Sequence, residues 1–142
     1  MNIELSNESG LAIDEAALVS VAEFTMQNMA LHADCDLAIS VVDESRMSEL
    51  HEEWMGLKGP TDVLSLPMDE LVPHSPEPGI VGDIVLCPQF AQAQAKHGLE
   101  AELQLLTIHG ILHCLGYDHA KDVEEKVMFD LQESILAKWQ AR

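Results

Sequence analysis

Between residues 101 and 115 the chain is apolar on most of a helical circumference: Leu103, Leu105, Leu106, Ile108, Ile111, Leu112 and Leu115 leave little polar face. A helix of that kind is covered on every side, so this segment is predicted to be the innermost helix of the fold. The other elements follow from their periods. Ile3 to Leu5 reads as a short strand, and Asp14 is placed to cap a helix whose apolar stripe runs Leu18, Val21, Ala22, Thr25 and Met29. The run "DLAISVVDE" at 36–44, rich in β-branched residues, reads as a strand that passes directly into a helix with Met47, Leu50 and Trp54 on one face.

Two further short strands are predicted in "GPTDVLSLP" at 59–67 and "GIVGDIVLCP" at 79–88, separated by the aperiodic loop "MDELVPHSPEPG". A loop without a period is either plain surface or a mobile lid over a site, and plain surface is the simpler expectation. Pro88 suits the first turn of a helix reaching to about His97, which Gly98 would end. Asp122 with Glu125 resembles a capping box for a last helix striped by Val123, Val127, Leu131, Ile135 and Trp139. The expected fold is therefore α+β with an α/β-like alternation: a single mixed sheet of about four strands packed with about five helices. No repeat, low-complexity segment or long linker interrupts the 142 residues, so one domain over 1–142 is expected.

Composition narrows the class. An apolar fraction of 47% with 23% charged residues is that of a globular chain with a core. The amino terminus lacks the basic and apolar regions of a secretion signal, and no apolar run is long enough to cross a bilayer, so a cytoplasmic protein without a membrane partner is expected. Cys35, Cys87 and Cys114 are odd in number and unpaired in spacing, and read as buried reduced thiols. Seven basic against 25 acidic residues give a net charge of −18, which argues against loose nucleic-acid binding. It does not exclude a nucleic-acid substrate held by a local site or presented by a partner.

The innermost helix also carries the candidate chemistry. In "HGILHCLGYDH", His109 and His113 are i and i+4 and share one helix face, close enough to bind one ion. His119 can join them only if the helix stops, because six more helical residues would carry it about 240° round and ~9 Å along the axis. Gly116 supplies the break, since glycine readily takes the left-handed conformation that ends a helix. Three imidazoles with an open fourth position describe a catalytic zinc site, one ion per chain, whose bound water has a pKa near about 7 and favours hydrolysis. His32, His51, His74 and His97 have no such company and read as surface residues, and Cys114 points about 100° away from His113 and reads as core.

The spacing H-x-x-x-H-x-x-G-x-x-H is that of the metzincin peptidases without their glutamate, for which Gly110 offers no base. Attack on a better electrophile than a peptide, such as a phosphodiester, is the more natural chemistry. Asp118 is a weak candidate for general base and more simply a turn residue or an orienter of the ligand beside it. Tyr117 is a packing residue whose hydroxyl could reach a reacting oxygen.

The histidine run, together with "GPTDVLSLP" and "GDIVLC", resembles the bacterial YbeY family of zinc-dependent endoribonucleases, over the whole chain and in the order of motifs. The resemblance implies a central sheet with helices around it, a metal on His109, His113 and His119, and action on precursor ribosomal RNA. In that reading the protein matures the 3′ end of 16S rRNA and serves ribosome quality control, with the small ribosomal subunit and its proteins as partners. One departure stands out. The family commonly has an arginine five residues before the "PT" that opens the third strand, whereas "WMGLKGPT" has Met55. Methionine cannot imitate a guanidinium clamp on phosphate, so that role either has moved, to Lys58 or Arg46, or is not required. The leading expectation is a single-strand-specific, metal-dependent endoribonuclease. The alternatives are a ribosome-assembly factor that uses zinc to hold its fold, and a metal-dependent hydrolase of another substrate.

Overall fold

Strand periodicity sets the layers. The computed structural model describes residues 1–142, and its elements are β1 (Asn2–Asn7), α1 (Glu15–Asn28), β2 (Asp36–Val41), α2 (Glu44–Met55), β3 (Val63–Pro67), β4 (Ile80–Leu86), α3 (Pro88–Gln92), α4 (Leu99–Cys114) and α5 (Asp122–Gln140). They make one mixed sheet in the order β1-β2-β4-β3, with β1, β2 and β4 parallel and β3 antiparallel to β4. Parallel neighbours require crossover connections, and α1 supplies the one between β1 and β2. Leu37, Ile39 and Val41 alternate on β2 and face the same core as Ile84 and Leu86 of β4. The opposite register, Leu64 beside Val85, joins Val42, Met47 and Cys87 in a smaller core, which Leu50 and Phe90 flank.

The predicted innermost helix is α4, packed against α1, α3, α5, β3 and β4. Leu103, Ile108, Ile111 and Leu112 are fully buried on it. Its closeness to the sheet depends on Gly110: a Cβ there would lie 2.9 Å from Ile84 Cδ1 and 3.1 Å from Ser65 Oγ. A side chain at 110 would thus push the helix off β3 and β4 or force Ile84 out of place.

Helix signals were read correctly at the start of the chain. Asp14 caps α1, its Oδ1 accepting from Ala17 N at 3.1 Å, and Leu18, Val21, Ala22, Thr25 and Met26 form the buried face. Asp43 caps α2 in the same way through Arg46 N. On α2 Met47 is buried, but Trp54 stands 57% exposed, so the apolar face is shorter than its spacing suggests.

Three expectations need correction. α3 stops at Gln92, not near His97, because the following residues are mostly polar and offer little apolar face to hold a marginal helix. No capping box opens α5: Lys121 is the cap residue without a side-chain bond, and Asp122 is already helical, where its charge favours the helix dipole. The buried stripe of α5 is Met128, Gln132, Ile135 and Trp139, while Val123 and Val127 are 77% and 54% exposed. The loop at 68–79 is surface and is tied down. Met68 and Asp69 extend the β3–β4 pairing through Val81 and Ile80, Ile80 N donates to Asp69 Oδ2, and His74 N donates to Met29 O.

Replacing Gly110 by alanine is expected to cost about 1–3 kcal/mol, the usual penalty of overpacking, read as a lowered midpoint in urea unfolding. An unchanged midpoint would show that α4 has room to retreat from Ile84.

Candidate metal centre

Residues 109 and 113 share one face of α4, and the helix end decides what joins them. Gly116, at φ +97°, donates its N–H to His113 O, and Tyr117 N donates to Leu112 O. These two bonds form a Schellman ending, which consumes the last helical carbonyls and turns the chain back across the helix. Asp118 Oδ1 then accepts from His119 N at 2.7 Å and fixes the returning loop. The outcome is that one nitrogen from each of His109, His113 and His119 lies within 4.8 Å of the other two, a group able to hold one metal ion. The ring centroids stand 4.7, 5.5 and 5.1 Å apart.

Buried partners orient the cluster. His109 Nδ1 is 2.8 Å from Gln132 Oε1. An amide oxygen accepts, so Nδ1 carries the hydrogen and Nε2 is left free with its lone pair. Gln132 is thereby the reason that a polar residue sits on the inward face of α5. The Phe129 ring lies 6.1 Å from that of His109 and 5.9 Å from that of His119, forming an apolar shield beside them.

Burial pushes His109 and His113 below the ordinary imidazole value of 6.5, which favours the neutral, ligating form. The Gln132 hydrogen bond works the other way at His109, and the neighbouring imidazoles add to the lowering at both. Cys114, next to His113 in sequence, is buried, its thiol pushed up to about 12 by that burial, and it lies outside the group of gathered donor atoms. All three cysteines are free and buried, as expected.

The cluster opens into a cavity of about 520 Å³ lined by His51, Met55, Val63, Leu64, Ser65 and Pro67 together with His109, His113, Asp118 and His119. Asp118 is therefore at the site, where its charge opposes the lowering at His113. Tyr117 is not. It is half-buried against the core and lines a neighbouring cleft with Val123 and Val127. Lys58 is exposed and does not line the cavity. Arg46 lies in a different cleft, paired with Glu49 at 3.0 Å. Neither takes over the position of the missing arginine, because Met55 itself lines the cavity and no lysine or arginine does. His51, read from the sequence as a surface residue, stands in this wall. Its signal was present: it precedes Met55 by four residues and so shares its helix face. Gln132 and Ser65 had no comparable signal.

A mixed sheet under a central helix, with three histidines gathered at that helix's end beside a cavity, defines the class: a small α+β protein built around a centre able to hold a metal. The model of the family described as Endoribonuclease YbeY matches residues 4–140. A protein named Endoribonuclease YbeY from Rhodococcus erythropolis is 55% identical, with 98% of this chain and 82% of that protein covered. One of the same name from Mycolicibacterium smegmatis is 52% identical over 99% of this chain and 84% of its own. Among solved structures, the solution structure of TM1509 from Thermotoga maritima has a TM-score of 0.62 and 28% identity, covering 98% of this chain and 92% of that one. The chain belongs to the Endoribonuclease YbeY family, and its activity class is that of a nuclease. No helix is long and apolar enough to cross a membrane.

The lowered values of His109 and His113 carry a sign. A group whose folded value lies below its unfolded one binds more protons when unfolded, so its neutral form stabilises the fold fully above about 6.5 and less as pH falls from there through the folded value. Metal-free protein is expected to lose part of its stability advantage over His113→Ala between pH 7 and pH 5, measured by urea unfolding at each pH. A difference that stays constant over that range would contradict the assignment of burial as the cause.

Proposed function

We propose that this chain is a zinc-dependent, single-strand-specific endoribonuclease that acts in the cytoplasm on precursor ribosomal RNA. Its substrate in this reading is the 3′ region of small-subunit rRNA, with the small ribosomal subunit as its setting and a role in ribosome quality control. The observation that carries the reading is the trio of imidazole nitrogens within 4.8 Å of one another at the wall of an open cavity, in a chain of this family.

The donor set fits zinc. Three imidazoles, with no cysteine in the group, match an open catalytic site and not a closed structural one, which usually recruits cysteines. His109, His113 and His119 would hold the ion, and zinc when bound supplies Lewis-acid polarisation and an acidified water. The chain's own residues do the rest. Gln132 fixes the tautomer and plane of His109, the Schellman ending with Asp118 sets His119, and Met55, Val63 and Leu64 make part of the cavity wall apolar. An apolar wall beside the reacting phosphate strengthens every charge interaction there.

Purified protein is expected to hold one zinc per chain by mass spectrometry and to cleave single-stranded RNA, with both properties lost in His113→Ala. A folded wild-type chain with zinc but no cleavage would support an assembly factor in which the ion only holds the fold. Exchanging Gln132 for alanine is expected to weaken zinc affinity by about 10–100-fold, as loss of an orienting partner does, in a competition titration with a chromophoric chelator. Unchanged affinity would show that His109 needs no such partner.

A further inference from the structure

The cavity beside the histidine cluster is also lined by one imidazole that the cluster does not use. We infer that His51 is a further catalytic residue of this site, the group that takes a proton from the attacking water during phosphodiester hydrolysis. The inference rests on the nuclease reading above and deepens it.

Its geometry is set by two elements. α2 presents His51 and Met55 one turn apart, and both line the same cavity as His109, His113 and His119. His51 Nδ1 lies 2.9 Å from Gly59 O, in the loop between α2 and β3. A carbonyl oxygen only accepts, so Nδ1 carries the hydrogen and the lone pair of the neutral ring sits on Nε2. The same device sets His109 through Gln132. In both residues Nδ1–H is tied back to the protein, which leaves Nε2 as the free nitrogen. The difference lies in place: His51 stands outside the trio whose nitrogens gather within 4.8 Å.

Few other groups can move the proton. Apart from the trio, the polar side chains on the wall are His51, Ser65 and Asp118, and the rest are Met55, Val63, Leu64 and Pro67. Ser65 is a poor base, and its Oγ is wedged beside Gly110. Asp118 is engaged with the His119 backbone through Oδ1. In the step proposed, the oxygen of a water forms a bond to phosphorus and the bond from phosphorus to the departing ribose oxygen breaks. Nε2 of neutral His51 accepts one proton of that water, the other remains on the product phosphate, and the departing oxygen takes a proton from solvent. His51 then returns its proton to solvent.

The test uses zinc-loaded wild type, His51→Ala and His51→Gln, with single-stranded RNA and with bis(p-nitrophenyl) phosphate as a phosphodiester that asks nothing of RNA recognition. We expect zinc content and the urea midpoint to be retained in at least one variant, with kcat down by about 10²–10⁴-fold and KM changed little. Added free imidazole should restore a measurable part of kcat in His51→Ala, in proportion to its basic form, which a merely structural role would not allow. A kcat within about threefold of wild type in a zinc-loaded variant would overturn the inference, as would a loss that imidazole does not rescue at any pH. Wild type that holds zinc but cleaves neither substrate would overturn the nuclease reading itself, and the inference with it. Cleavage of both substrates with His51 dispensable would sink the inference alone.

Discussion

The contact on which the site depends is the approach of α4 to the sheet at Gly110. With no side chain there, Ile84 and Ser65 fill the space beside the helix backbone at distances that a Cβ would violate. That contact fixes the rotation of α4 about its own axis, and the rotation aims the two neighbouring imidazoles. His109 is adjacent to the glycine, and His113 lies one turn on from His109, so both emerge beside the strand face and not against it. The glycine that stands where the metzincin pattern has its base is here a packing residue. A glutamate at 110 would have to occupy volume that Ile84 and Ser65 already hold.

From this anchor the remaining parts follow in order. The helix must end soon after His113 for His119 to return, and the bonds from Gly116 and Tyr117 end it within one turn. The returning loop leads straight into α5, whose inward face carries Gln132 to His109. A buried amide would ordinarily cost stability, and here its carbonyl oxygen is satisfied by the imidazole it orients. One hydrogen bond thus joins the last helix to the metal centre and explains why the buried stripe of α5 runs through a polar position.

That stripe also shows where sequence reading reaches its limit. The buried helix, the histidine trio and the break at Gly116 were legible because each depends on local spacing, which the chain carries in plain form. The face of α5 was misread because Val123 and Val127 fit an i, i+4 pattern, whereas the face is chosen by a polar partner far away in sequence. The capping box failed for a similar reason: Lys121 adopts the extended conformation of a cap, so Asp122 comes one residue too late. His51 and His109 are far apart in sequence and come to line one cavity only in the folded chain. Spacing ties His51 to Met55 on one face of α2, but no period in the sequence relates that face to α4.

The charge distribution adds a constraint on how such a site could hold RNA. Of the seven basic residues, Arg46 is paired with Glu49, Lys126 with Asp130, and Arg142 lies 4.4 Å over the Trp139 ring. Lysine and arginine are absent from the cavity wall, and the surrounding chain is acidic by 18 charges. Affinity for a polyanion normally grows with the number of phosphates that basic residues neutralise, each releasing counterions. Here that number is small, so long-range attraction contributes little and the chain repels a duplex presented at a distance. Recognition must then rest on what a flexible strand can place inside the cavity. That means a phosphate against the imidazoles and the ion they can hold, beside Met55 and the apolar strand wall. A strand already unpaired could make those contacts with no cost of melting, whereas a duplex would first have to open.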